Sequence, residues 1–146
     1  MMVVGGIDEC NKGECLGPIF VVLCYGEFKD VEDYGFLPYM GESKSRKKVN
    51  FETLLKTFNL RYDLVKIEVK EIDSHNVNGL IFKAQKDLIS RNNLDLVHID
   101  NHQKTSLFKD KKVICKHKLD QIDPLTGLAS IIAVALKKEW VKKVEN

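Results

Sequence analysis

The chain has 146 residues, 44% of them hydrophobic and 30% charged, with a formal net charge of +2. That balance suits one soluble globular domain over residues 1–146, with enough chain for a single core. No apolar run approaches the ~20 residues of a membrane helix and no basic, apolar leader opens the sequence, so the expectation is a cytoplasmic protein with no membrane partner.

Taken in chain order, the first strand is expected at 3–8 and ends on two adjacent carboxylates, Asp8 and Glu9. A segment with two glycines and a proline, "CNKGECLGP", leads to a second strand at 18–26. Asp, Asn and Gly there also suit a plain polar turn between hairpin strands. A helix is expected at 48–58, after the basic run "KSRKK" (44–48), and a third strand at 63–71. Next, "NVNGLIFKAQKDLISRN" sets Val77, Leu80, Ile81, Ala84 and Leu88 on one helical face, giving a helix over 76–91. Strands at 94–100 and 112–119 follow, rich in Val, Ile and Leu.

The final helix, 124–143, carries a start signal, because Asp123 can cap it and Pro124 suits its first position. Its run "LASIIAVAL" is apolar nearly all round and should be buried against a sheet. The expected order is therefore β-β-α-β-α-β-β-α, a mixed sheet with helices on its faces.

The four cysteines, Cys10, Cys15, Cys24 and Cys115, form no C-x-x-C pair, which favours reduced, mostly buried thiols over disulfides or zinc. The four histidines, His75, His98, His102 and His117, read as surface or turn residues. Of these, His102 follows Asp100 by two positions and is a candidate for positioning water. Twenty of the 23 basic residues are lysine, gathered at 44–48, 109–118 and 137–143. Lysine blocks suit diffuse attraction to phosphate, and each also suits a solvated helix face. Asp8 and Glu9, Asp100 and Asp120 stand at the ends of separate strands. Several carboxylates at one sheet edge repel one another unless a cation joins them, and oxygen-rich clusters select hard cations such as magnesium.

These residues resemble the type 2 ribonucleases H, the ribonuclease HII and HIII family. The family's D-E-x-G-x-G-x-x-x-G-P signature is matched by "DECNKGECLGP" at Asp8, Glu9, Gly13, Gly17 and Pro18. Its Ser-Lys-Lys segment is matched at Ser43 and Lys44, and its E-I-D-x-x-N-I junction by "EIDSHNV" (71–77). "HIDN" matches its I-D-G strand end at Asp100, and Asp120 stands nine residues before "ASIIA" (129–133). The similarity runs from residue 3 to about 142.

The resemblance implies a ribonuclease H-like α/β fold. It also implies a metal-dependent endonuclease that cuts the RNA strand of RNA/DNA hybrids and leaves 5′-phosphates. Asp8, Glu9, Asp100 and Asp120 would be its catalytic and metal-binding acids, holding two Mg²⁺ or Mn²⁺ ions about 3.5–4 Å apart. Glu9 would reach the metals through the backbone turn that begins at Cys10. Substrate contacts would come from Asn11, Lys12 and Gly13 and from Ser43, Lys44 and Lys47.

Some positions depart from the family pattern. Asn11-Lys12-Gly13 stands for G-R-G, Ser45 for the second lysine, Val134 for a lysine and Lys138 for an aspartate. The C-terminal helical segment with its junction-recognising tyrosine is expected to be absent, with a homodimer as one way to recover binding area. The departures leave two further readings, a catalytically weak nucleic-acid-binding relative and a nuclease for another structured nucleic acid.

Overall fold

The computed structural model describes residues 1–10, 17–39, 50–74, 76–100, 112–116 and 123–145. Five strands form one sheet in the order β3-β2-β1-β4-β5. These are β1 (Met2–Glu9), β2 (Ile19–Phe28), β3 (Arg61–Ile67), β4 (Leu96–Asp100) and β5 (Val113–Lys116). β1 is central. It pairs antiparallel with β2, from Met2 opposite Phe28 to Glu9 opposite Val21, and parallel with β4, from Val4 beside Leu96 to Ile7 beside Ile99. The sheet is therefore mixed, as the alternation of strands and helices leads one to expect.

Two helices cover the two faces. α5 (Pro124–Glu145) lies on the face that carries Val4, Val22 and Cys24, and buries Leu125, Leu128, Ala129 and Ile132. α4 (Val77–Arg91) covers the other face, where Ile81, Ala84 and Leu88 meet Ile7, Val21, Leu23, Val97 and Ile99. The periodicity of both segments is the cause: α4 has one apolar stripe, whereas α5 is apolar over most of its first four turns and is the more deeply buried. An Asn76 side chain caps α4 by accepting from the Asn78 and Gly79 amides at 2.9 and 3.3 Å.

Two short helices are additional to the expected order. α1 (Val31–Gly35) is closed by reciprocal bonds, with Asp30 Oδ1 accepting from the Asp33 amide (2.8 Å) and Asp33 Oδ2 from the Lys29 amide (2.9 Å). α3 (Val69–Ser74) replaces the end of the strand expected at 63–71. There the Glu71 carboxylate accepts from the Glu68 amide at 3.2 Å and the Glu71 amide donates to the Glu68 carbonyl at 3.0 Å. This turn stops strand pairing at Ile67. α2 (Phe51–Thr57) lies within the helix expected at 48–58, capped by Asn50.

Cys10 and Cys24 are buried free thiols and Cys115 is a partly buried one, while Cys15 lies outside the described residues. Burial pushes the Cys24 thiol well up, so it behaves as a small apolar residue.

The helix α5 approaches the sheet closely at Gly6. A Cβ built there would lie 2.4 Å from the Thr126 amide nitrogen and 2.6 Å from the Leu125 carbonyl carbon. Both are backbone atoms, so no side-chain rotation can relieve the overlap. Gly6→Ala is expected to destabilise the fold by about 2–3 kcal/mol through overpacking, measured by urea unfolding. A loss under about 0.5 kcal/mol would show that α5 can step away freely.

Candidate active site

The parallel register of β1 and β4 brings two carboxylates to one edge. Ile7 pairs with Ile99, so the next residues, Asp8 and Asp100, stand side by side at the carboxyl ends of neighbouring strands. Strand alternation places both on the α5 face, with Val4, Gly6, Leu96 and His98. Asp8 is only 6% exposed, and its Oδ1 accepts from the Glu9 amide at 2.9 Å. Glu9, one residue on, falls on the opposite alternation from Asp8.

Among the described residues, no three His, Cys, Asp or Glu side chains stand close enough to hold an ion. Of the expected acids, then, Asp8 and Asp100 are brought together and Glu9 is adjacent in the chain, while Asp120 lies outside the described residues. Asn11, Lys12, Gly13, Ser43, Lys44, Lys47 and His102 lie outside them too. As a fit to a hard divalent cation, the Asp8–Asp100 pair has the right donor type, carboxylate oxygen, on a shared face. Two such groups side by side are mutually repelling without a counter-charge.

The segment after Glu9 is tied back at both described ends. The Cys10 amide donates to the Phe20 carbonyl (3.2 Å), and the Phe20 amide donates to Cys10 Sγ (3.4 Å). Burial pushes the Cys10 thiol up, so it acts here as a neutral acceptor. At the far end Gly17 has φ +128°, a backbone state that favours glycine, and a Cβ there would meet the Trp140 ring at 2.6 Å.

One rung below the acid pair lies a buried polar network that the sequence pattern does not reveal. His98 is not a surface residue. It sits in β4 with its Nδ1 3.0 Å from Asp123 Oδ1, 16% exposed at the side chain. The Tyr34 hydroxyl of α1 also donates to Asp123 Oδ1. Asp123 Oδ2 accepts from the Thr126 amide (2.9 Å) and hydroxyl (2.7 Å), which is the helix cap expected from Asp123-Pro124.

One carboxylate thus joins α1, β4 and the start of α5. Burial, the largest influence, pushes the Asp123 carboxyl up, but the His98 ring beside it and the bonds from Tyr34 and Thr126 outweigh it and hold the group below its ordinary value. Burial pushes the Tyr34 phenol well up, so it remains a donor. The spacing of His98 two residues before Asp100 in an alternating strand was the available signal.

A cleft of about 470 Å³ lies elsewhere, between the end of α4 and the start of β5, lined by residues including Lys86, Arg91, Asn92 and Lys112. It faces the opposite end of β4 and β5 from the carboxylates. The acids instead stand at the carboxyl ends of the neighbouring strands β1 and β4.

A mixed sheet flanked by helices is what the family resemblance implies, and this one carries a carboxylate pair on neighbouring strands. The family model for ribonuclease HII matches residues 5–146. The chain belongs to the ribonuclease HII family. Members of that family are endoribonucleases of the ribonuclease H type. A ribonuclease HII of Nanoarchaeum equitans is 26% identical over 156 residues, covering 99% of this chain and 76% of that protein.

Among solved structures, ribonuclease H2 from Pyrococcus horikoshii superposes with a TM-score of 0.80 at 23% identity, covering 99% of this chain and 76% of its own. Bst-RNase HIII in complex with Mn²⁺ superposes with a TM-score of 0.64 at 17% identity, over 94% of this chain and 52% of its own. These likenesses establish the fold of the chain. No helix among its described residues is long and apolar enough to cross a membrane.

The network gives a pH signature of definite sign. A depressed carboxyl contributes stability that is complete above the ordinary aspartate value of about 3.9 and is lost as pH falls through the folded value. Asp123→Asn should cost about 1–3 kcal/mol near neutrality, since an amide replaces one of the two accepting oxygens with an NH2 donor. The gap in Tm between the two proteins should hold steady around pH 5–6 and shrink below about pH 4. A gap unchanged down to about pH 3 would show that the ionised carboxylate is not what stabilises the network.

Proposed function

We propose that this chain hydrolyses the RNA strand of RNA/DNA hybrids as a metal-dependent endonuclease, with Asp8, Glu9, Asp100 and Asp120 as its acids. The observation that carries this reading is the Asp8–Asp100 pair at adjacent parallel strand ends, in a chain of the ribonuclease HII family. It also draws support from the Mn²⁺ complex of the related fold. Mg²⁺ or Mn²⁺ bound to such carboxylates would supply an activated water and neutralise charge on the scissile phosphate. Asp8 and Asp100 would then act as ligands from rigid strand ends, which fixes their separation without relying on loop order. The buried Asp8 is already oriented by the Glu9 amide, so little side-chain freedom is lost on binding.

The remaining residues would handle the nucleic acid. The "KSRKK" block, with Lys44 and Lys47 beside Ser43, is proposed to attract the duplex backbone. Asn11, Lys12 and Gly13 are proposed to contact the ribose at the cut. Lys12 brings a point charge where a guanidinium would offer a planar fork, and Asn11 brings a side chain where glycine would allow close backbone approach. A continuous hybrid presents many 2′-hydroxyls along its minor groove and a lone ribonucleotide presents one. The proposed preference is accordingly for continuous hybrids. The region 1–146 is proposed to act as one catalytic unit, and an RNA/DNA hybrid is the proposed partner.

The test uses labelled RNA/DNA hybrid, DNA duplex and a DNA duplex with one embedded ribonucleotide, each with Mg²⁺ and with Mn²⁺. Cutting is expected in the RNA strand of the continuous hybrid, with little at the lone ribonucleotide. Asp8→Asn and Asp100→Asn should each lower the rate by far more than tenfold, while hybrid binding stays near wild type or tightens as the site becomes less negative. A variant that keeps more than about a tenth of the rate, ~1.4 kcal/mol in barrier, would remove that aspartate from the essential ligands.

Metal binding has its own readout. Mn²⁺ should raise Tm in the wild type by mass action and do so much less in Asp100→Asn. An unchanged melting curve with both Mg²⁺ and Mn²⁺ would count against the metal site itself.

Affinity for the hybrid should fall steeply with salt. Replacing Lys44 and Lys47 by alanine should flatten the slope of log K against log salt by roughly 0.7–0.9 for each phosphate no longer neutralised. A slope identical to wild type would reduce these lysines to a solvated face.

A further inference from the structure

Lys137 is a buried cation on α5, only 5% exposed. Among the described residues its ammonium donates to the Pro18 carbonyl at 2.6 Å and lies 5.4 Å from the centre of the Trp140 ring. An apolar residue of similar volume would serve packing at this place with no desolvation penalty. What lysine adds is a strong, charge-assisted donor to one backbone oxygen. That oxygen belongs to the residue that leads into β2. Two residues on, Phe20 makes the paired bonds to Cys10 that close the end of β1. A continuous set of contacts therefore runs from Lys137 through Pro18 and Phe20 to Cys10, and so to Glu9 and Asp8.

Trp140 adds a second grip on the same point. Its ring lies against Gly17, where an added Cβ would come within 2.6 Å of Cζ3 and 3.0 Å of the Lys137 ammonium. Gly17 has φ +128°, so its lack of a side chain serves both the backbone state and the contact. Lys137 and Trp140 are three apart on α5 and so share a helix face. Both engage the two-residue stretch Gly17–Pro18.

We propose that Lys137, backed by Trp140, is a positioning residue that clamps Gly17–Pro18 and thereby fixes the acid end of β1 for catalysis. This rests on the hybrid-cleaving reading above. The clamp acts through backbone, not through contact with substrate. Its loss should therefore lower turnover while leaving the substrate capture proposed for Lys44 and Lys47 in place.

The experiment pairs amide hydrogen exchange, read residue by residue by NMR, with steady-state kinetics on a continuous RNA/DNA hybrid. In Lys137→Met, exchange at the Cys10 and Phe20 amides should rise at least tenfold. Exchange at the Val97 amide, bonded to the Lys112 carbonyl at 2.9 Å on the far side of β1, should change less than twofold. The same variant should lose at least tenfold in kcat with KM within about threefold, and Lys137→Arg should restore both readouts in large part. Gly17→Ala attacks the clamp from the other side and carries the same expectations if Lys137→Met does not fold.

Uniform acceleration of exchange at Cys10, Phe20 and Val97 would make the lysine a general stabiliser and overturn the proposal. Localised exchange with unaltered kcat would overturn it too, since the clamp would then have no catalytic consequence. A wild type that cleaves no hybrid, together with localised exchange in the variant, would fault the functional reading while leaving the clamp in place.

Discussion

The fold depends on how closely α5 can lie against the central strand. At Gly6 the first turn of the helix sits on the backbone of β1 with no room for even a methyl group. That approach sets the height of α5 over the whole face, and the apolar run from Leu125 to Ala133 fills the space that remains. It also sets where the helix begins. Asp123 must reach Thr126, His98 and Tyr34 at once, and it can do so only when the helix start lies next to the strand pair β1–β4. A tight apolar approach and a fully bonded carboxylate thus support each other. Each would be less well satisfied if the other moved.

Much of this was legible in the sequence because several levels of signal agreed. For α5, the Asp-Pro start and the long apolar run both point to one helix, and the structure has it. The stripe in 76–91 was equally consistent, and α4 follows it. The misses came where local chemistry acted against a longer pattern. "VKIEV" alternates like a strand, but a carboxylate at Glu71 bonding back to Glu68 turns the chain into α3. α1 is five residues long, too short for periodicity to register, and rests on the mutual caps of Asp30 and Asp33. Its contribution is out of proportion to its length, since it carries Tyr34 into the core.

The candidate site was legible in a different way. Asp8 and Asp100 could be named from motif likeness, but their adjacency is a property of register, with Ile7 beside Ile99. No spacing along the chain encodes that pairing. The place of His98 is hidden for the same reason: its partner Asp123 lies 25 positions away and meets it only because the residue that caps α5 comes to lie beside β4. Lys137 likewise looked like one member of a basic block. Its neighbour Lys138 is exposed, whereas Lys137 points inward to a backbone carbonyl, a distinction that only the helix orientation makes.

The parallel pairing of β1 with β4 has a consequence for how the protein comes into being. β1 and β2 form a local hairpin, but the partner on the other side of β1 is about ninety residues further along the chain. Closing so long a loop is entropically unfavourable until other interactions reward it, and non-local strand pairing is slow for that reason. On a ribosome, which makes protein at roughly 5–20 residues per second, the hairpin can form seconds before its parallel neighbour has been made. Over that interval the Asp100 carboxylate has not yet arrived beside Asp8, and the pair exists only once β4 has docked on β1. The chain thus passes the seconds after its hairpin forms with no β4 carboxylate beside Asp8.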